Sequence, residues 1–310
     1  HDKNKLKEKL PNIILEKKIQ LIIVYSTFYP ILEEVFEISN KFDIKCISYG
    51  GEYFSINLKN LINTTNIYQF LAKRLSYRKL DGHICSTFFH QKTLKKNNLK
   101  TIVIPTLAPE LNIQSKKIRN NSKLFNLVWM GKPNQREYLI RIIKGFKIAQ
   151  KKIPCLQLIL ISKIDFNDKS LDKKLKEEIK DSYNIMITGF LAEKEKEDLL
   201  NQANAFIHLR KKSKETFHAF PTRVPEYVTY KKPIIFSNTP PFVDYFKHLK
   251  NAYFIDSRNN INEIANAILN LYFNKRLCNS LGKNCEKLIM NDFSIKKNGY
   301  KLNHFIESLF

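Results

Sequence analysis

Residues 218–236 read His218-Ala219-Phe220-Pro221-Thr222-Arg223-Val224-Pro225-Glu226-Tyr227-Val228-Thr229-Tyr230-Lys231-Lys232-Pro233-Ile234-Ile235-Phe236, and their reading decides the fold. A Phe220-Pro221 loop leads to Thr222, a residue type that caps helices. A short helix is then expected to carry Arg223, Glu226 and Tyr227 on its first turns, and Lys231-Lys232-Pro233 stops it before the apolar strand Ile234-Ile235-Phe236. Loop, helix start, short helix and buried strand form a unit of a parallel α/β sheet. The same order suits an anion, because N–H groups at a helix start are unpaired and the helix dipole favours negative charge there. A carboxylate one turn in can accept hydrogen bonds from two sugar hydroxyls.

Outward from this segment the alternation continues. Strands are expected over Ile22–Tyr25, Ile44–Ile47, Gly82–Ser86 and Ile102–Ile104, with helices over Ile31–Lys41, Leu58–Leu80 and Phe88–Lys96. The first eighteen residues read as a charged, exposed segment broken at Pro11. A polar stretch over 109–123 reads as the linker between domains. The pattern restarts with strands Leu127–Met130, Gln157–Ile161, Asn184–Ile187, Ala205–Leu209 and Ala252–Ile255. Its helices fall over Tyr138–Lys151, Leu171–Lys180, Glu195–Gln202, Ile261–Phe273 and Arg276–Met290, with a helical turn at Val243–Phe246. The expected division is a first domain over 1–115, short for its type, a second over 116–290, and a C-terminal helix over 291–310 returning to the first.

Composition narrows the classes. A chain of 310 residues can hold two ordinary domains, and 43% apolar content argues against disorder. The longest apolar run, Ile19–Leu32, is interrupted by Gln20, Ser26, Thr27 and Pro30 and is too short to span a bilayer. No export leader is read at the start, and since the chain opens on His1 rather than Met this is weak evidence on location. The five cysteines are scattered, with no Cys/His group at zinc spacing, so free buried thiols and no metal are expected. A formal charge of +24 fits an anionic membrane face or nucleic acid, or simply the Lys-, Asn- and Ile-rich bias of an AT-rich genome. The basic residues are spread rather than bunched, and no nucleic-acid motif is present, so no specific nucleic acid is expected.

The Pro221-Thr222-Arg223-x-x-Glu226-Tyr227 core, with Lys232-Pro233-Ile234-Ile235 beyond it, resembles the donor-binding segment of family 4 glycosyltransferases. Their usual form is G-F-P-T-K-x-x-E-Y-x-x-x-G-K-P-V-I. The resemblance covers 124 to about 300 well and 20–108 loosely. It implies the GT-B architecture, two Rossmann-like domains facing across a cleft. The implied activity is transfer of a hexose from a UDP- or GDP-linked donor to a glycan or lipid-linked acceptor, with retention, in surface polysaccharide or glycoconjugate synthesis. No metal or other cofactor is implied. The place implied is cytoplasmic, peripheral on the inner face of the cell membrane.

The resemblance also distributes roles. Glu226 holds the donor ribose, as the second glutamate of an E-x7-E pair whose first member is here His218, placed to bond the sugar. Arg223 faces the diphosphate, next to Pro221 and Thr222, and its guanidinium fork suits phosphate. Gly131 and Lys132 match the first strand and loop of the donor domain, with Arg136 as second cation. The Thr188-Gly189-Phe190 segment lines the nucleobase pocket, largely through backbone groups. Glu52, after Tyr49-Gly50-Gly51, is the acceptor-side candidate, and Asp81-Gly82-His83-Ile84-Cys85-Ser86 reads as scaffold. Plainer alternatives stand beside these: an exposed helix carboxylate for Glu226, a loop histidine for His218, surface ion pairs for the cations. At the level of the whole chain, the alternatives are a non-catalytic sugar-nucleotide or glycan binder and a basic nucleic-acid-binding protein.

Overall fold

The computed structural model of the chain describes residues 3–25, 29–50, 79–95, 99–109, 123–133, 136–167, 173–180, 182–256 and 260–310. Glu52 falls outside them, as do the helix expected over 58–80 and the linker expected over 109–123 except at their ends. The chain forms two compact α/β units. One comprises His1–Pro105, Ser213–Phe220 and Lys296–Phe310, and the other Thr106–Lys212 and Pro221–Ile295.

The first unit contains a four-stranded parallel sheet in sequence order, built from β1 (Leu21–Val24), β2 (Lys45–Tyr49), β3 (Gly82–Cys85) and β4 (Thr101–Val103). Helix α1 (Lys3–Lys17) precedes it, α2 (Tyr29–Lys41) joins β1 to β2, and α3 (Phe88–Leu94) joins β3 to β4. The sequence leads one to expect a break at Pro11, yet Pro11 lies inside α1. A proline there removes one helical hydrogen bond, at roughly 3 kcal/mol. Packing offsets it: Ile14 is buried, Leu6 and Leu10 lie against the apolar core, and Lys7 pairs with Glu34 on α2 at 3.2 Å. Asp81 accepts from the Cys46 N–H at 2.8 Å and from Lys45 Nζ at 3.1 Å, fixing the entry to β3.

The second unit contains a six-stranded parallel sheet. Its strands are β5 (Phe125–Met130), β6 (Leu156–Ile161), β7 (Ile185–Ile187), β8 (Ala205–His208), β9 (Ile234–Ser237) and β10 (Tyr253–Ile255). They run in the order β10-β9-β8-β5-β6-β7. The helices are α4 (Leu139–Gln150), α5 (Lys173–Lys180) and α6 (Glu193–Asn201), then α7 (Lys214–His218) and α8 (Val224–Thr229), then α9 (Ile261–Phe273), α10 (Lys275–Met290) and α11 (Ile295–Glu307). Of these α7 belongs to the first unit, as does α11 from Lys296 onward. Strands β5, β8 and β9 are buried on both faces and largely apolar, as parallel strands are, with Asn126, His208 and Ser237 the polar residues in them. Sequence neighbours diverge between β5 and β8, and that reversal of strand order is where an open α/β sheet leaves a crevice for ligands. These are two Rossmann-like halves of GT-B type.

Two local expectations change. Thr222 is exposed and does not cap α8; the cap position is Arg223, with no side-chain cap bond. The helix starts later because Pro225, which has no N–H to give, sits naturally in its first turn. A turn then closes from the Val224 N–H to the Pro221 carbonyl at 3.2 Å. The second change is α7, a helix with no counterpart in the sequence reading. Ser213 caps it by accepting from the Thr216 N–H at 3.2 Å.

Candidate functional site

At the carboxyl ends of β5 and β8 the second unit opens a cavity of about 1140 Å³. Its wall begins at Met130, where β5 ends, and continues through Gly131, Lys132 and Pro133. The site is basic: Lys132, Arg141, Lys163, Lys196, Lys211 and Arg223 line it, against Glu137 and Asp165. Six cations to two anions in one concave surface focus a positive potential and select an anionic ligand.

The loop after β5 is held by main-chain bonds to the extension of β8. Tyr138 N–H donates to the Leu209 carbonyl at 3.1 Å, and Lys211 N–H to the Arg136 carbonyl at 2.9 Å. Gly131 is required in this loop, since a Cβ there would lie 2.6 Å from the Trp129 ring and 3.1 Å from Glu137 Oε2. Across the cavity Gly189 adopts φ +72, a left-handed conformation that glycine takes without strain. Beside it Phe190 stands 85% exposed, with Lys163 Nζ 5.5 Å from its ring.

Beneath the loop lies a buried polar stack. Tyr227 Oη accepts from the Met130 N–H at 2.7 Å. Its ring stacks on Phe206 with centroids 4.3 Å apart and planes 8° from parallel. Burial pushes the Tyr227 hydroxyl up, so it stays neutral. His208 is held well below its usual range by burial, then by Arg210 and Arg223. Glu137 is the acidic counterweight. Burial pushes its carboxyl up to about 7, against the pull of Arg223 and Arg210. Backbone pairing sets Glu137 beside Arg210.

A carboxylate raised in the folded state favours folding below its unfolded value near 4.5, and that contribution is lost as pH rises through about 7. We expect wild-type stability to step down across this window and Glu137→Gln to lack the step, read by urea midpoints from pH 4.5 to 8. Parallel profiles would place the titration elsewhere.

The structure brings Gly131, Lys132, Gly189 and Arg223 onto this one surface. Thr188 adjoins it, its Oγ1 donating to the Gly189 carbonyl at 3.2 Å, and the Pro221–Thr222 turn leads into Arg223. Arg136 is exposed and borders the loop through its carbonyl. Glu226 reaches the cavity through Lys196, whose ammonium lies 3.0 Å from it and 2.8 Å from Glu193. Burial works against the Lys196 charge, but these two carboxylates outweigh it and leave the ammonium firmer than usual. His218 belongs to the other unit: it is buried, with Nδ1 2.6 Å from the Lys214 carbonyl oxygen and its ring against Phe89 and His90. Sequence reasoning placed Phe190 with Thr188 and Gly189 but missed Glu137, Lys196 and Lys211. The Arg210-Lys211-Lys212 run at the end of a buried strand was the available signal.

The family model for Glycosyl transferases group 1 matches residues 112–288, more than half of the chain. Among solved structures the chain is similar to HepE of Anabaena in complex with UDP, at TM-score 0.79 and 15% identity over 98% of this chain and 82% of that one. It is similar to sucrose-phosphate synthase from Thermosynechococcus elongatus, at 0.70 and 14% over 99% and 78%. A glycosyltransferase from Rickettsia africae gives 0.70 and 14% over 97% and 81%. No curated protein sequence matched. Among the described residues, no helix is long and apolar enough to cross a membrane.

Proposed function

The chain belongs to the group 1 glycosyl transferases, and from that premise we propose a retaining, family 4-like hexosyltransferase that takes its sugar from a UDP- or GDP-linked donor. The acceptor is a glycan or lipid-linked saccharide, in surface polysaccharide or glycoconjugate synthesis, reached from the cytoplasmic face of the membrane. One observation carries the reading: six basic side chains line a single cavity at the β5/β8 reversal of a Rossmann-like sheet. Structures of Anabaena HepE with UDP and with UDP-glucose support a donor of this class.

In this reading the leaving diphosphate lies against Lys132, Arg223 and Lys211, with Arg136 at the rim. Fixed cations offset the charge that develops as the glycosidic bond to the diphosphate breaks, without requiring a metal ion. Arg223 presents a fork to two phosphate oxygens. Thr188, Gly189 and Phe190 meet the nucleobase through backbone groups and an exposed ring. Glu226 accepts from the ribose hydroxyls, oriented meanwhile by Lys196. Glu52 meets the acceptor in this reading. Membrane contact is peripheral, drawn by the +24 formal charge.

Calorimetric titration with UDP, GDP and a short oligonucleotide, on wild type and Glu226→Ala, tests this. We expect one nucleoside diphosphate to saturate and the variant to bind it about 10-fold or more weakly, as loss of a hydrogen-bonded charge implies. Oligonucleotide binding alone, indifferent to Glu226, would overturn the reading.

A further inference from the structure

Within the first unit, His83, Cys85 and His90 are all buried, and one potential ligand atom from each lies within 4.8 Å of the other two. The arrangement follows from local structure. His83 and Cys85 are two residues apart on β3 and therefore share a face of the sheet. Ser86 and Thr87 then turn the chain, and Thr87 Oγ1 accepts from the His90 N–H at 3.0 Å as the cap of α3. That cap places His90 in the first helical turn, with its ring 4.9 Å from that of His83.

We propose that His83, Cys85 and His90 bind one zinc ion, which pins the end of β3 to the start of α3. Two imidazoles and a thiolate supply three of the four donors of tetrahedral zinc, and a water completes the fourth position. Bond lengths of about 2.0–2.3 Å require the three donor atoms to lie roughly 3.3–3.8 Å apart. The present spacing therefore closes with side-chain rotation of about 1 Å. An outer shell is already in place. Ser48 Oγ lies 2.6 Å from His83 Nδ1 and the Gly50 carbonyl oxygen 3.2 Å from Nε2. Whichever nitrogen takes the ion, the other keeps its partner and so fixes the ring and its tautomer. Metal binding converts the Cys85 thiol to a thiolate and releases its proton to solvent. The thiol otherwise stays protonated, since burial pushes it up to about 12. The strand–turn–helix spacing H-x-C-x4-H matches none of the common zinc patterns, which is why the sequence alone pointed to free thiols.

The test is metal content, then cobalt. Full-length protein purified from zinc-supplemented medium should carry one zinc per chain by elemental analysis. Cys85→Ser and His90→Asn should each carry less than a tenth of that. After chelation, titration with Co²⁺ should saturate at one per chain with a thiolate-to-cobalt charge-transfer band, and zinc should abolish the band. His90→Asn should weaken cobalt binding by at least about 100-fold, more than is typical of losing an outer-shell partner. The wild-type band is independent of whether either variant folds. Metal-free wild type with no such band, or folded variants that hold zinc as the wild type does, would overturn the site.

Discussion

Arg223→Ala is expected to lower turnover about 100- to 1000-fold, or roughly 2.7–4 kcal/mol of transition-state stabilisation, as for loss of one donor in an oxyanion site. The melting temperature should barely move. Arg223 occupies the cap position of α8 without a side-chain cap bond, so its removal leaves the helix start as it was. It also lines the cavity directly, unlike Glu226, which reaches it through Lys196. Arg223→Lys should recover only part of the loss, since a point charge replaces a fork. Initial rates and thermal melts on the same preparations decide the matter. Wild-type turnover in a folded Arg223→Ala protein would remove the arginine from the mechanism.

The second large effect is on stability. Phe206→Ala should cost about 3–5 kcal/mol, the range for emptying a buried aromatic site. Phe206 is fully buried on β8, stacked on Tyr227 and in edge contact with Tyr230. The consequence runs further than the core. Tyr227 holds the Met130 N–H, one residue before Gly131 and two before Lys132. A loosened Tyr227 should therefore weaken nucleoside diphosphate binding as well. Urea midpoints with unchanged slope, followed by titration of the folded variant, read both effects. A loss below about 1 kcal/mol would mean that neighbours refill the space.

Much of the second half was legible in the sequence. The helix over Ile261–Phe273 was read to its last residue, because its apolar spacing is regular and Asn260 caps it. Strands β5, β8 and β9 announced themselves through the short apolar runs Leu127–Met130, Ala205–Ile207 and Ile234–Phe236. Errors arose where tertiary packing outweighs a local rule. Pro11 should break a helix, but Leu6, Leu10 and Ile14 hold α1 in place. Thr222 is a better capping residue than Arg223, yet Pro225 sets where the helix starts. The candidate site was legible on the loop and turn that match the family. Lys196 and Lys211 were not, being two among 53 basic residues. Glu137 escaped because nothing in a linear string marks a carboxylate as surrounded by arginines.

The first unit is assembled from three separated stretches, ending with Lys296–Phe310. A Cβ on Gly82 of β3 would lie 2.8 Å from the Phe305 ring of that last stretch, and Lys100 Nζ donates to the Ser308 carbonyl at 2.7 Å. During translation, then, of the two units the one whose strands are made first is the one completed later. Strands β1 to β4 are made before the second unit and wait for α11 through the synthesis of almost all of it. Order of synthesis and order of completion are inverted, and the early strands spend that interval without part of their cover.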